Sequence, residues 1–290
     1  MLTSVLKSLA RLPLSWFHRA GILLGWLMYG ASPTYSRRVK ENLSASGVCS
    51  SKQKYRALIK ETVRETGKTA TEWVKIWFVS DASLSRLIAE VCGWTEVEDA
   101  HSCGKGIIFL LPHLGSFQVV MRYITQRMAL TALYRPPKQK WRRLFDNAGS
   151  KNAGLSLAYT DLSGVQKIYK ALATGQAVAL PPDQAPNSRG GVWANFFDRP
   201  AYTMTLPKKL QQATGAALIA AYAERLEGGK GFRLKFQSVE AKDFDERVLN
   251  HTVEDLIRQC PGQYLWGYNR YKVPRKSEIK RRKPLPSYGA

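Results

Sequence analysis

Three short, almost wholly apolar runs each end against proline. They are residues 107–111 (Ile-Ile-Phe-Leu-Leu), 130–134 (Leu-Thr-Ala-Leu-Tyr) and 177–180 (Ala-Val-Ala-Leu). Runs that are apolar throughout, rather than alternating, fit strands covered on both faces, as in a parallel sheet with helices above and below. Proline has no N–H for a ladder, so Pro112, the pair Pro136-Pro137 and the pair Pro181-Pro182 mark where each strand stops. The spacing predicts an α/β chain. We expect a single domain with a mixed, mostly parallel central sheet flanked by helices, with further strands at 217–222 and 232–236.

Each strand end carries polar side chains, and open α/β sheets bind ligands beyond the carboxyl ends of their strands. His113 follows the first strand, Gly115 permits a tight turn, and Ser116 is suited to cap a helix running to about residue 128. A histidine in that place suits general-base work, because its ordinary pKa lies near neutrality. It serves equally as a group satisfied by backbone. Arg135 follows the second strand, where a guanidinium can grip phosphate in two places, or simply face solvent from a loop. Asp183 and Gln184 follow the third, with Asp183 either functional or a turn-former.

The chain has 290 residues and a formal net charge of +22, which directs it toward acidic partners. It has no zinc-finger spacing, RNP-like aromatic signature or zipper, so nucleic acid is set aside. Its four cysteines are scattered, without a C-x-x-C, so neither a disulfide framework nor a metal site is expected. Residues 1–32 are apolar and aromatic with few cations, too short in their uncharged run to span a bilayer comfortably. They are expected to form one anchor helix at a membrane surface, with a marginal spanning helix or packing on the domain as the other readings. Helices are expected at 52–79, 83–92, 138–149, 161–174, 205–214 and 250–258. From Arg270 onward the chain is dense in Lys and Arg and reads as an irregular tail, either solvated or held on anionic headgroups. The division is an anchor (1–32), a domain (33–272) and a basic tail (273–290).

Five blocks, in order, resemble the bacterial lipid A biosynthesis lauroyl/myristoyl acyltransferases of the lysophospholipid acyltransferase superfamily, most like the betaproteobacterial type. They are Arg37-Arg38-x-x-x-Asn42-Leu43, His113-Leu-Gly-Ser-Phe-Gln118, Tyr134-Arg135-Pro136-Pro137, Pro182-Asp183-Gln184 and Pro261-Gly-Gln263-Tyr264-Leu-Trp266. A sixth stretch, residues 192–205, is similar to the Phe-Phe-Gly-x-x-Ala-x-Thr block, with Asp198 where glycine is usual. The resemblance implies a glycerolipid acyltransferase-like fold, no cofactor and no metal. It implies an acyl carrier protein thioester as donor and a Kdo-bearing lipid A precursor as acceptor, at the cytoplasmic face of the inner membrane. It makes His113 the base and position 118 its acidic partner, and it places Arg135, Asp183 and Gln184 on substrate. Position 118 is Gln where the family has Glu. A glutamine can orient the imidazole but cannot stabilise its positive charge, and Asp183 is the next carboxylate to test. Acylation of a lysophospholipid or another glycolipid, or a lipid-binding member with impaired catalysis, remain the alternatives.

Overall fold

The computed structural model describes residues 2–135, 154–186 and 190–273. Its core is a seven-stranded sheet in the order β1-β9-β8-β2-β5-β3-β4. The strands are β1 (Ile88–Cys92), β2 (Ile107–Leu110), β3 (Leu130–Tyr134), β4 (Leu155–Tyr159), β5 (Ala177–Leu180), β8 (Ala217–Arg225) and β9 (Phe232–Val239). The five from β8 to β4 are mutually parallel. β9 runs antiparallel to β8, and β1 follows β9. A separate antiparallel hairpin joins β6 (Gly191–Phe196) to β7 (Arg199–Met204).

The central strands β2 and β5 are buried at every position. Alternate residues feed two apolar clusters, one on each face. Ile108, Leu110, Val178, Leu180, Leu218 and Ala220 point to one, and Ile107, Phe109, Ala177, Ala179, Ile219 and Ala221 to the other. That two-sided burial is why these strands lack a polar face. The first cluster is closed by α8 (Leu162–Ala173), α9 (Leu206–Thr214), α10 (Glu246–Gln259) and the hairpin. The second is closed by α5 (Asp81–Ser85), α6 (Trp94–Ser102) and α7 (Phe117–Thr125). The long helix α4 (Lys52–Phe78), capped by the Ser51 hydroxyl, lends Leu58 to the first and Ile76 to the second.

Three expectations change. Residues 88–92 are not the end of a helix. They form edge strand β1, whose ladder comes from Phe232–Lys235 far along the chain. The N-terminal segment is two helices, α1 (Leu2–Leu9) and α2 (Leu14–Ala31), broken before Pro13. Arg270 is not part of a solvated tail but is 2 % exposed. The expected helix at 138–149 and the tail beyond 273 lie outside the described residues.

No helix among the described residues is long and apolar enough to cross a membrane. Helix α2 still has an unusual distribution of side chains. Leu14, His18, Gly21 and Gly25 face inward. Gly21 and Gly25 let its backbone lie directly on Gly67 and Val63 of α4. Trp16, Leu23, Leu24, Trp26, Leu27 and Met28 are exposed. Helix α3 (Pro33–Ala45) follows immediately.

Candidate active site

Register places the first and third of the polar strand ends side by side. Leu110 pairs with Leu180, so His113 and Asp183 each stand three residues beyond matched positions on neighbouring parallel strands. Asp183 Oδ2 accepts the His113 backbone N–H at 3.0 Å, and Oδ1 lies 3.0 Å from imidazole Nδ1. The carboxylate is 2 % exposed, whereas the His113 side chain keeps 19 % of its surface open. The Gln184 amide lies 3.2 Å from Nε2. A carboxylate only accepts, and the Gln184 amide nitrogen only donates. The network therefore assigns the proton to Nδ1 and leaves the Nε2 lone pair as the acceptor of the Gln184 amide.

Burial alone would lower the His113 pKa. The charge and hydrogen bonds of Asp183 outweigh that and raise it above its ordinary value. Asp183 is the converse: burial pushes it up, but His113 and the more distant Arg270 hold it below the usual carboxylate range. Tyr264 interacts with the same carboxylate. Burial first, and then the Asp183 charge, raise its phenol well above 10, so it stays protonated as a donor. Arg270 donates to the Tyr202 carbonyl at 2.9 Å, to Thr203 Oγ1 at 2.8 Å and to Asn250 Oδ1 at 3.0 Å. It is a fixed cation behind Asp183.

The turn bearing His113 is clamped on its other side. Gly115 has φ +56°, and a Cβ there would run into the Ala223 carbonyl, so the turn lies flush on the end of β8. Gly115 N–H donates to the Gln263 carbonyl at 3.0 Å, Ser116 N–H to the Ala223 carbonyl at 2.8 Å, and Leu265 N–H to the His113 carbonyl at 3.1 Å. The Gln263 side chain both accepts from and donates to the Arg225 backbone. Asn42 donates to the carbonyls of Trp266 and Tyr268, fastening this segment to α3. The block at 37–43 and the block at 261–266 thus meet at the His113 turn, although they are more than 200 residues apart.

Gln118 has no hydrogen bond to the imidazole. Helix α7 starts at Phe117 and carries Gln118 inward to 7 % exposure, where its Oε1 has no hydrogen-bond partner. Asp183 fills the place beside Nδ1 that the resemblance reserves for position 118. Ser116 stands at the cap position but makes no capping bond. Arg135 is exposed at the end of β3, two strands from β2. Among the described residues no hydrogen bond or ion pair joins it to His113 or Asp183, but its charge reaches Tyr268 and Lys272. The described residues contain no cluster suited to a metal ion.

Sequence reasoning missed Tyr264, Arg270 and Arg225 as parts of this centre. Tyr264 was visible inside a matching block. Arg270 was hidden by the cations that follow it. Arg225, which ends β8 and donates to the Gly115 carbonyl at 2.8 Å, had only its place after an apolar strand to mark it.

The model of the bacterial lipid A biosynthesis acyltransferases matches residues 1–273. The chain is 27 % identical to the lipid A biosynthesis lauroyltransferase of Escherichia coli K12 over 283 residues, covering 93 % of this chain and 89 % of that protein. It is 25 % identical over 252 residues to the lipid A biosynthesis palmitoleoyltransferase of the same organism, covering 84 % and 81 %. It is also similar, at 24 % over 202 residues, to the phosphatidylinositol mannoside acyltransferase of Mycobacterium tuberculosis H37Rv, covering 67 % and 62 %.

Proposed function

Because the chain belongs to the bacterial lipid A biosynthesis acyltransferase family, we propose that it moves a fatty acyl chain from acyl carrier protein to a 3-hydroxyacyl hydroxyl of a Kdo-bearing lipid A precursor. The observation that carries this reading is the Asp183–His113 pair, with the Nε2 lone pair held by the Gln184 amide. The acceptor hydroxyl displaces the Gln184 amide and gives its proton to Nε2 as its oxygen attacks the thioester carbonyl. Asp183 stabilises the imidazolium that forms. Collapse of the tetrahedral intermediate breaks the carbon–sulfur bond, and the imidazolium returns the proton to the departing thiolate.

Charge supports the choice of partners: carrier protein, lipid phosphates and Kdo carboxylates are all acidic, and the chain carries +22. Arg135, at the neighbouring strand end, is assigned to the anionic acceptor. The exposed face of α2 is assigned to the inner-membrane surface, with Trp16 and Trp26 at headgroup depth. Replacing Leu23 and Leu27 on that face by Glu should move the protein off anionic vesicles, since each buried side chain contributes about 1.5–3 kcal/mol. Retained vesicle binding assigns attachment to another surface.

The deciding assay offers acyl carrier protein thioester with the Kdo-lipid A precursor, and in parallel a lysophospholipid and a mannosylated phosphatidylinositol. Turnover confined to the first acceptor supports the reading. Turnover confined to the last favours glycolipid acylation, to which the mycobacterial similarity gives weight.

A further inference from the structure

Behind the reaction centre lies a second buried charge pair that the proton transfers do not use. Arg225, 1 % exposed at its side chain, meets Glu72, which is fully buried. Its Nε lies 3.0 and 2.9 Å from the two carboxylate oxygens, and Nη2 lies 2.7 Å from Oε1. Nη2 also reaches Thr69 Oγ1 at 2.7 Å and the Gly115 carbonyl at 2.8 Å. The far carboxylate oxygen lies 3.1 Å from Nε2 of buried His18 on α2. Glu65, Thr69 and Glu72 fall at i, i+4 and i+7 on α4, so one face of that helix presents all three to the guanidinium.

We propose that the Glu72–Arg225 pair is the positioning element of the acyl-transfer centre: Arg225 fixes the Gly115 carbonyl, and with it the turn that aims His113 at substrate. This rests on the acyl-transfer reading. A buried ion pair is a poor device for stability, because apolar residues of similar volume commonly replace one at no loss. What such residues cannot reproduce is a fork that holds a carboxylate with one edge and a backbone carbonyl with another. Gly115 is the residue such a contact can register. Its N–H is held by Gln263, its Cα lies on Ala223, and its carbonyl is held by Arg225. It lies two residues from His113. Through His18 the same pair extends to the helix whose outer face is apolar, so the seating of α2 and the aim of His113 share one set of contacts.

Arg225→Lys in the full chain keeps the charge and loses the fork. We expect kcat to fall about 10²-fold, the usual result of a small misplacement of a reacting group. KM for donor and acceptor should stay within about threefold, because the binding surfaces are untouched. Hydrogen exchange at the Gly115 and Ser116 amides should accelerate at least about tenfold while α10 amides hold steady. The double variant Glu72→Leu, Arg225→Met should keep or raise the thermal midpoint and still leave kcat low. Recovery of kcat together with the midpoint would overturn the proposal, as would unchanged exchange at the turn in Arg225→Lys. Should the double variant not fold, the exchange comparison decides alone. Exchange needs no substrate, so it fails only with the positioning role. Absence of turnover in the unaltered chain fails the acyl-transfer reading instead.

Discussion

Two of the buried ion pairs among the described residues stand on either side of one turn and differ in their access to solvent. His113–Asp183 opens at one end, with the imidazole 19 % exposed over a carboxylate at 2 %. Arg225–Glu72 is closed at both, at 1 % and 0 %. A pair open at one end can exchange a proton with something that arrives. A closed pair can only hold geometry. Their titration differs in the same sense. Burial would lower the His113 pKa, but the Asp183 carboxylate raises it above its ordinary value. Glu72 would be pushed up by burial, but Arg225 and His18 bring it down to about 2, so it is ionised wherever the protein is folded near neutrality. Chemistry is assigned to the first pair and placement to the second, and each assignment can be broken.

The largest effect belongs to His113. His113→Ala should cost on the order of 10⁴ in kcat, leaving only what binding and orientation supply. A residual rate within tenfold of the unaltered chain would remove the open pair from the mechanism. Asp183→Asn comes next, at about 10²–10³ in kcat/KM, because the imidazolium loses its stabilising charge. Its pH signature is the sharper test. Nε2 must be neutral to accept a proton, so kcat/KM should fall on the acid side with an apparent pKa above 6.5. Without the Asp183 charge, burial alone acts on the imidazole, and that limb should move to lower pH while the plateau drops. An unmoved limb assigns the titration to another group.

The closed pair should speak through stability. Glu72→Gln leaves buried Arg225 with only the longer ionic contact to Glu65 at 3.6 Å. Removing one partner of a buried pair typically costs about 3–5 kcal/mol, here at most that, read as a lower thermal or denaturant midpoint. Because the folded-state pKa of Glu72 lies below its unfolded value of 4.5, its ionised form contributes stability above that pH. The contribution is lost as pH falls toward about 2. The variant should lack this part of the acid dependence. Arg135→Ala is smaller, about 1–3 kcal/mol in kcat/KM for the phosphorylated acceptor, with the fold unaffected because the side chain is exposed. Equal loss on a neutral acceptor would show that Arg135 does not read charge.

The parts of this architecture legible in the sequence are those with local causes. The ends of β3 and β5 fall at the expected residues, because an apolar run stopped by proline needs no partner to be recognised. Edge strand β1 was read as helix, because its half-exposed Ile-Ala-Glu-Val-Cys shows no alternation and its ladder comes from β9. The β6–β7 hairpin turns on Phe197 and Asp198, at φ +47° and +57°. Asp198 occupies the left-handed place where the family's glycine would be free, and Asp tolerates that conformation better than most residues. In the site, His113, Asp183 and Gln184 stood out in the sequence because each follows a strand end, and the structure brings the other two within hydrogen-bond reach of His113. The pairing of His113 with Asp183 stood there only second to position 118, since it depends on β2 and β5 being neighbours in register. Arg225 and Arg270 were beyond reach because a buried arginine reads, in sequence, like an exposed one.

The smallest expected effect is at Gln118, where resemblance and geometry divide. If position 118 were the partner of His113, restoring the family's carboxylate would supply the missing charge, and Gln118→Glu should raise kcat about tenfold or more. In this chain Nδ1 already donates to Asp183, and Gln118 turns inward with its carbonyl unpartnered. A carboxylate at 7 % exposure, with no hydrogen bond to the imidazole, has its pKa raised by burial. Its neutral form adds no charge to stabilise the imidazolium. We therefore expect Gln118→Glu to change kcat by less than about threefold and to lower the thermal midpoint slightly as pH rises, since ionisation of the new carboxyl favours the unfolded chain. The control is Asp183→Asn with Gln118→Glu. If the carboxylate at 118 restores the rate lost at 183, the two positions share one role and the open pair is wider than its present contacts. If the double variant is as slow as Asp183→Asn alone, the open pair is His113 with Asp183, and position 118 contributes only to packing beneath the turn.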